Sequence, residues 1–285
     1  MSASIFEFGV SVKLLSRLLN LCRFHAKKLL GVGGEPDFII VGVQKGGTTS
    51  LYNYMIQHPL ISSARRKEVH FFDSNYYKGM DWYKAHFCCD ASKVNEGITG
   101  EASPYYIFHP YALDRIKAAF PDMKIIVMLR DPVDRCYSQY RHNVRRGRET
   151  RKISEALDAD LEAKVLVEEL RAFSNNIHYA SERHQHFSYL ARGLYYTQLK
   201  HCQDIYGDNL LILKSEDLFS SPESVLSQVY SFLEVPFHGL KDYRVHGKGV
   251  KMQDIDSEMT KSLVDYYRDE MLMLKREFGI GFDRF

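Results

Sequence analysis

The stretch between residues 38 and 50 sets the strongest limit on how this chain can fold. Residues 38–43 form an apolar, β-branched run that predicts a buried strand, and a helix-like pattern starts at Thr48. Glycines at a strand exit let successive backbone N–H groups converge, and a helix N-terminus adds its dipole. The segment therefore predicts a site for a phosphate or sulfate group, built from Gln44, Lys45, Gly46, Gly47, Thr48, Thr49 and Ser50.

This segment departs from the common nucleotide-binding loop G-x-x-x-x-G-K-[ST]. Gly42 and Gly47 keep the glycine spacing, but Thr48 stands at the lysine position and Lys45 lies inside the loop. In ordinary nucleoside triphosphatases that lysine reaches the β- and γ-phosphates from the helix start. An ATP-dependent phosphotransferase is therefore a disfavoured alternative. A glycine turn with an incidental lysine is the purely structural one.

Strand-like and helix-like segments alternate along the rest of the chain. An apolar run at 124–129 precedes a helical pattern at 133–146, and a second strand-like run at 209–213 lies between helical patterns at 194–206, 223–233 and 257–278. Such alternation predicts an α/β fold, a P-loop-like parallel sheet with helices on both faces, in a single domain. The polar region 154–192 is expected to add helices and loops beside the sheet.

A second candidate site element follows the strand predicted at 124–129. Arg130 stands at the end of this strand and Ser138 lies in the following helix, with Pro132 at a position suited to a helix start. Ligands of open parallel sheets bind beyond the carboxyl ends of the strands, so Arg130 and Lys45 should face one crevice. The structural alternative is an ion pair of Arg130 with Asp131 or Asp134.

Together these two motifs resemble those of sulfotransferases that use 3′-phosphoadenosine 5′-phosphosulfate (PAPS), in particular the heparan-sulfate-type glycan sulfotransferases and their bacterial relatives. The resemblance covers about residues 37–282. It implies that Lys45 contacts the 5′-phosphate and the bridging oxygen, that residues 46–50 hold the 5′-phosphate, and that Arg130 and Ser138 bind the 3′-phosphate. It also implies nucleotide contacts from Tyr195, Lys248 and Gly249, adenosine 3′,5′-bisphosphate as product, and no required metal.

The segment Lys67-Glu-Val-His-Phe-Phe-Asp73 alternates like a strand, which predicts that Glu68, His70 and Phe72 share one face. Two titratable side chains on one face can supply a base, and the resemblance implies that Glu68 accepts the acceptor's proton, with His70 beside it. A structural Glu68 and a buried His70 bonded to backbone are the alternatives. The related glycan enzymes often carry a lysine where this chain has Ala102, which leaves Lys45 as the expected cation at the leaving group.

The acceptor expected from this resemblance is a hydroxyl, first of all on a carbohydrate, with a lipid, a phenol or a small metabolite as alternatives. Residues 141–152 hold six Arg or Lys and one Glu, which fits either an anionic acceptor or a solvated helix end. A scaffold protein that binds nucleotide without catalysis is a further alternative. The net charge of +2 gives no general field for nucleic acid, so no nucleic-acid partner is expected.

The first 36 residues predict a unit of their own, an amphipathic helix and a glycine-rich linker, ahead of a sulfotransferase domain at 37–285. Leucines and basic residues mix between residues 12 and 30, without an apolar run long enough to span a membrane. Docking on the domain, an oligomer contact or peripheral membrane contact would each suit such a helix. Five cysteines without C-x-x-C spacing and no apparent signal peptide favour a cytoplasmic protein with no metal site, and membrane association is the alternative that the helix leaves open.

Overall fold

The computed structural model describes residue 15 and residues 21–87, 97–244 and 256–285. Its centre is a five-stranded sheet in the order β2-β3-β1-β4-β5, in which every pairing is parallel. The strands are β1 (Phe38–Gly42), β2 (Ile61–Ser63), β3 (Ile98–Ala102), β4 (Lys124–Leu129) and β5 (Leu210–Lys214). The sequence predicted β1, β4 and β5 within about a residue. It did not predict β2 or β3.

Helices connect the strands and cover both faces of the sheet. They are α1 (Thr48–Met55), α2 (Met80–Lys84), α3 (Ala112–Ala119), α4 (Pro132–Arg145), α5 (Ile153–Ala156), α6 (Ala159–Asn175), α7 (Glu182–Phe187), α8 (Tyr195–Tyr206), α9 (Ser215–Ser220), α10 (Pro222–Phe232) and α11 (Ser257–Phe278). The α/β fold with a single parallel sheet is therefore confirmed, and the polar region 154–192 contains α6 and α7, as expected.

The central strand β1 contributes side chains to two separate apolar clusters. Side chains alternate between the faces of a strand, so Ile39 and Val41 pack into one cluster and Phe38 and Ile40 into the other. Every residue of β1 is buried. Because β1 is buried on both faces, its sequence is a continuous apolar run. Its central position in the sheet places the loop that follows it at the middle of the sheet edge.

The predicted strand at 67–73 is wrong, because this segment is an irregular loop followed by a turn. His70 has φ of 53°, which lies outside the extended region, and Phe71 and Phe72 are both buried in the same core cluster. A strand would send these two rings to opposite faces. The apparent alternation therefore arises from a loop whose two aromatic residues anchor it in the core, while Glu68 and His70 stay half-buried.

Residues 21–30 are helical and dock on the domain. The Phe24 ring packs edge-on against Trp82 and His86, and the Arg65 guanidinium lies 4.4 Å from its centre. Leu21, Leu29 and Leu30 of this helix are exposed. In the described part of the chain, no helix has the length and apolar character needed to cross a bilayer. The division into units at residues 36 and 37 stays a prediction.

Candidate functional site

The loop between β1 and α1 is pressed against the neighbouring strand. A Cβ atom on Gly46 would lie 2.3 Å from the carbonyl oxygen of Met128, so a side chain cannot be accommodated without moving backbone. Lys45 and Gly47 both have positive φ, of 70° and 91°. The loop thus curls tightly into the first turn of α1, where the leading N–H groups have no intrahelical acceptor and can face an anion.

Lys45 lies in a strongly cationic environment. Burial lowers the pKa of its ammonium group, and the nearby charges of Arg145, Arg130 and Lys67 lower it further, while Glu68 opposes them. Like charges gathered at one place destabilise each other, and an anionic ligand relieves this repulsion. The loop therefore combines backbone donors and side-chain cations, an arrangement that suits an anionic ligand.

Arg130 reaches the phosphate loop from the end of β4. Its guanidinium donates to the carbonyl oxygen of Lys45 at 3.4 Å and lies 3.9 Å from the Asp134 carboxylate. Asp134 has a closer partner, because Arg284 donates to both Asp131 and Asp134 at 2.7 Å. The ion pair of Arg130 with Asp134 exists but is long, and Arg284 lies much closer to this carboxylate. The Arg130 guanidinium is thereby left available to an anion beside the loop.

The other residues expected at the nucleotide occupy different surroundings. Tyr195 is fully buried and its hydroxyl donates to the carbonyl oxygen of Arg130 at 2.8 Å, so it braces the end of β4 from behind. Ser138 is half-buried in α4, and Ser50 is buried in α1. Lys248 and Gly249 lie outside the described residues. Their proposed nucleotide contacts stay predictions.

A buried arginine that the sequence analysis missed holds Gln44 in place. Arg192 donates to the Gln44 side-chain oxygen at 3.0 Å and to the carbonyl oxygens of His184 and Gln185 in α7, at 3.0 and 2.6 Å. Its guanidinium carbon lies 4.9 Å from the centre of the Tyr105 ring and 4.8 Å from that of Phe108. Burial lowers the pKa of this guanidinium to about 10. No local sequence signal marks Arg192, because Gln44 is 148 residues away.

Glu68, His70 and Asp73 form a chain of alternating charges on the other side of the loop. Nδ1 of His70 lies 2.7 Å from the fully buried Asp73 carboxylate, and Nε2 lies 3.4 Å from Oε2 of Glu68. Burial alone would lower the pKa of His70, but the bonds to Asp73 and Glu68 outweigh it and raise the value to about 10. His70 is therefore an imidazolium at neutral pH, with both nitrogens protonated.

The Glu68 carboxylate is strongly stabilised as an anion. Burial would raise its pKa, but hydrogen bonds and charges from His70 and Lys67 dominate and lower it to about 2. The Lys67 ammonium donates to Oε1 of Glu68 and to Oγ1 of Thr49, both at 2.8 Å. The sequence analysis did not single out Lys67. Its contact with Thr49 joins the phosphate loop directly to the candidate base.

A fully buried carboxylate, Glu101 at the end of β3, organises the loop that carries Glu68 and His70. It accepts four hydrogen bonds, from the Tyr83 hydroxyl at 3.0 Å, the Tyr106 hydroxyl at 3.0 Å, the Ser103 hydroxyl at 2.6 Å and the Val69 N–H at 3.1 Å. The Ser103 hydroxyl in turn accepts from the N–H of His70 at 3.1 Å. Burial raises the pKa of Glu101 to about 7 in spite of these bonds.

The arrangement as a whole places the Glu68 carboxylate beside the glycine loop that precedes α1. Thr49, Lys67 and Glu68 form one continuous line of contacts from the helix N-terminus to the carboxylate. Such a site can hold a phosphate-linked group at the loop and orient a nucleophilic hydroxyl at Glu68. Within the described ranges, no three His, Cys, Asp or Glu side chains gather closely enough to hold a metal ion.

Comparisons with known proteins find sulfotransferases among those similar to this chain. The chain is 26% identical over 311 residues to the membrane-associated sulfotransferase kil1 of Dictyostelium discoideum. It is 29% identical over 273 residues to the bifunctional heparan sulfate N-deacetylase/N-sulfotransferase 1 of Xenopus laevis. Each alignment covers 85% of this chain, but the chain spans only 66% of the first relative and 29% of the second.

A solved structure and a family model cover most of the chain. The crystal structure of a sulfotransferase from Alicyclobacillus acidocaldarius superposes with a TM-score of 0.67 at 30% identity, over 87% of this chain and 98% of that one. The model of the sulfotransferase domain matches residues 35–271, which run from just before β1 into α11. The sheet, the glycine loop and the crevice at its edge all lie within this match, and the chain belongs to the sulfotransferase domain family.

Proposed function

We propose that this protein transfers the sulfuryl group of PAPS to an acceptor hydroxyl, with Glu68 as the base. The observation that carries the proposal is the line of contacts from Thr49 through Lys67 to Glu68, which joins an anion-binding loop to a carboxylate. Membership of the sulfotransferase domain family supplies the reaction class. The geometry supplies candidate residues for the two halves of that reaction.

The loop residues suit a 5′-phosphosulfate. The backbone at Gly46 lies too close to β4 for a side chain, so glycine lets the loop curl tightly enough for its N–H groups to converge on one anion. Lys45 would face the bridging oxygen and Arg130 with Ser138 the 3′-phosphate, while Lys248 and Gly249 would cover the nucleotide. Support comes from the contact between Arg130 and the Lys45 carbonyl oxygen, since both cations then serve one ligand.

The reaction proposed is an in-line displacement. The acceptor oxygen forms a bond to sulfur while the bond between sulfur and the phosphate oxygen breaks, and the departing electron pair stays on adenosine 3′,5′-bisphosphate. Glu68 takes the acceptor's proton. Lys45 stabilises the negative charge that grows on the phosphate side, so it lowers the energy of the transition state more than that of the bound donor. No covalent enzyme intermediate and no metal enter this scheme.

A carbohydrate is the acceptor that we propose first. One relative's name specifies heparan sulfate, an anionic glycan. In this chain the end of α4 and the turn after it are basic and exposed at Arg145, Arg146 and Arg148, and the charge of Arg145 reaches Lys45. A basic surface next to the donor site would attract an anionic sugar chain. A lipid, phenol or small-metabolite acceptor would not require it.

The helix at residues 21–30 supports a peripheral membrane contact. Leu21, Leu29 and Leu30 are 44%, 83% and 72% exposed, and basic side chains lie between them. Such a surface fits an interfacial helix that binds anionic lipid. Co-sedimentation with vesicles that contain phosphatidylserine should be lost when Leu29 and Leu30 are replaced by Ser. A cytoplasmic location stays a prediction.

Thermal unfolding with nucleotides tests the donor site first. Adenosine 3′,5′-bisphosphate should raise the unfolding midpoint, because a ligand at 100 times its Kd adds about 2.7 kcal/mol to the free energy of unfolding. ADP should give a smaller shift. A positive result leads to transfer assays from labelled PAPS to desulfated heparan sulfate, simple sugars and phenols. Stabilisation by magnesium-ATP alone would replace the proposal with a phosphotransferase, and binding without transfer to any acceptor would favour a scaffold.

A further inference from the structure

Lys67 lies at the boundary between the donor and acceptor halves of the site. Its ammonium contacts the hydroxyl of Thr49, in the first turn of α1, and the carboxylate of Glu68, both at 2.8 Å. Its carbonyl oxygen also accepts from the N–H of Ala102 at 3.1 Å, which ties the loop to the end of β3. During transfer, sulfur has to pass between the loop and the hydroxyl bound at Glu68. The Lys67 ammonium therefore lies beside that path.

Both oxygens of Glu68 are engaged before any substrate arrives. Lys67 holds Oε1, and His70 lies 3.4 Å from Oε2. Together they stabilise the carboxylate so strongly that it is a poor base in this state. His70 is tied to the buried Asp73 at 2.7 Å, whereas the Lys67 side chain is 23% exposed and has four rotatable bonds. Lys67 is therefore the partner of Glu68 that can move.

We propose that Lys67 is a catalytic residue that changes partner when the donor binds. In the free protein its ammonium pairs with Glu68, and with PAPS bound it contacts the sulfuryl oxygens instead. The sulfuryl group carries negative charge near Thr49, on the side of the ammonium that faces the loop. This inference rests on the proposed function. It means that Glu68 becomes free to accept a proton only when a donor carrying its sulfuryl group is in place.

The bonds, the proton and the electron pair of the transfer step are all accounted for. The acceptor's O–H bond breaks and its proton moves to Oε1 of Glu68, which Lys67 has vacated. The acceptor oxygen bonds to sulfur, and adenosine 3′,5′-bisphosphate leaves with the electron pair of the broken S–O bond. Throughout, the Lys67 ammonium neutralises charge on the sulfuryl oxygens. Ala102, at the end of β3, adds no charge of its own, so Lys67 serves the sulfuryl oxygens while Lys45 serves the bridging oxygen.

The test compares two nucleotides that differ only in the sulfuryl group. Binding of PAPS and of adenosine 3′,5′-bisphosphate is measured by calorimetry for the wild type, Lys67→Met and Arg66→Met. Arg66 is the adjacent exposed cation, so its replacement changes net charge equally. Lys67→Met should weaken PAPS binding about tenfold relative to bisphosphate binding, because one charged hydrogen bond to the sulfuryl group is lost. Arg66→Met should leave the ratio of the two Kd values within twofold of wild type.

Glu68→Gln provides a second, independent readout. Without the carboxylate, Lys67 is no longer held on the acceptor side, so PAPS should bind at least threefold more tightly relative to the bisphosphate. Equal Kd ratios in Lys67→Met and Arg66→Met would overturn the inference, and so would a Glu68→Gln protein that binds PAPS relatively less well. A wild-type protein that binds neither nucleotide would refute the proposed function itself, which is a different result from an unchanged ratio.

Discussion

Replacing Glu101 by Gln should change how the stability of this protein depends on pH. The Glu101 carboxyl is fully buried, and burial raises its pKa from 4.5 to about 7. Between these two values the folded state binds a proton that the unfolded state has released, so the free energy of unfolding falls as pH rises. The difference, at about 1.4 kcal/mol per pH unit, amounts to about 3 kcal/mol. Most of this loss lies between pH 5 and 8.

Gln cannot ionise, so the variant should lack this loss. Urea unfolding of wild type and Glu101→Gln at pH 5, 6, 7 and 8 gives the difference in free energy between them at each pH, and titrations of other groups cancel in that difference. The wild type should lose about 2.5 kcal/mol relative to the variant across this range, because the rest of the total loss falls below pH 5. Glu155→Gln removes an exposed carboxyl and serves as the control, with a constant difference expected.

A constant difference between wild type and Glu101→Gln from pH 5 to 8 would refute the reasoning, because it would mean that Glu101 titrates alike in both states. A difference that changes in the opposite direction would also refute it. That outcome would show that the four hydrogen bonds to the carboxylate outweigh burial and that the folded state prefers the ionised form.

Three further variants test the site. Glu68→Gln should keep the affinity for adenosine 3′,5′-bisphosphate within threefold of wild type and lower turnover at least about 100-fold, measured by transfer from labelled PAPS, as expected for loss of a general base. Arg130→Ala should reduce the preference for this bisphosphate over AMP about tenfold or more in calorimetry, and an unchanged preference would contradict the 3′-phosphate assignment. Gly46→Ala should weaken bisphosphate binding at least tenfold because its Cβ would meet the Met128 carbonyl, whereas Gly147→Ala, with φ of 68° and open space, should cost about 1 kcal/mol of stability and leave binding unchanged.

The sequence was sufficient to predict the features that depend on neighbouring residues. The run into Gly42, the glycines at 46 and 47 and the hydroxyls that follow predict a strand, a tight loop and a helix start, because strand burial, positive φ and helix geometry are local properties. The same holds for Arg130 at the end of β4. Since parallel strands end at one edge of a sheet, the meeting of this arginine with the Lys45 loop was also predictable.

The segment at 67–73 shows where local reasoning fails. Its alternation imitates a strand, but the carboxylate of Glu101 draws the Val69 N–H and, through Ser103, the His70 N–H into a bend. Glu101 comes 31 residues or more after these positions, and β3 was not among the predicted strands. The seven residues of this segment cannot predict the bend, because the carboxylate that causes it belongs to another strand.

The strongest contacts of the site join segments that lie far apart along the chain. Lys67 reaches Thr49 across 18 residues, Arg192 reaches Gln44 across 148, and Arg284 reaches Asp131 across 153. Residue order carries the chemistry of each side chain, and it was enough to predict the loop, the arginine and the candidate base. Which cation lies against which anion depends on the order of strands in the sheet and on the packing of helices around it, because only the folded chain brings these charges within hydrogen-bonding distance.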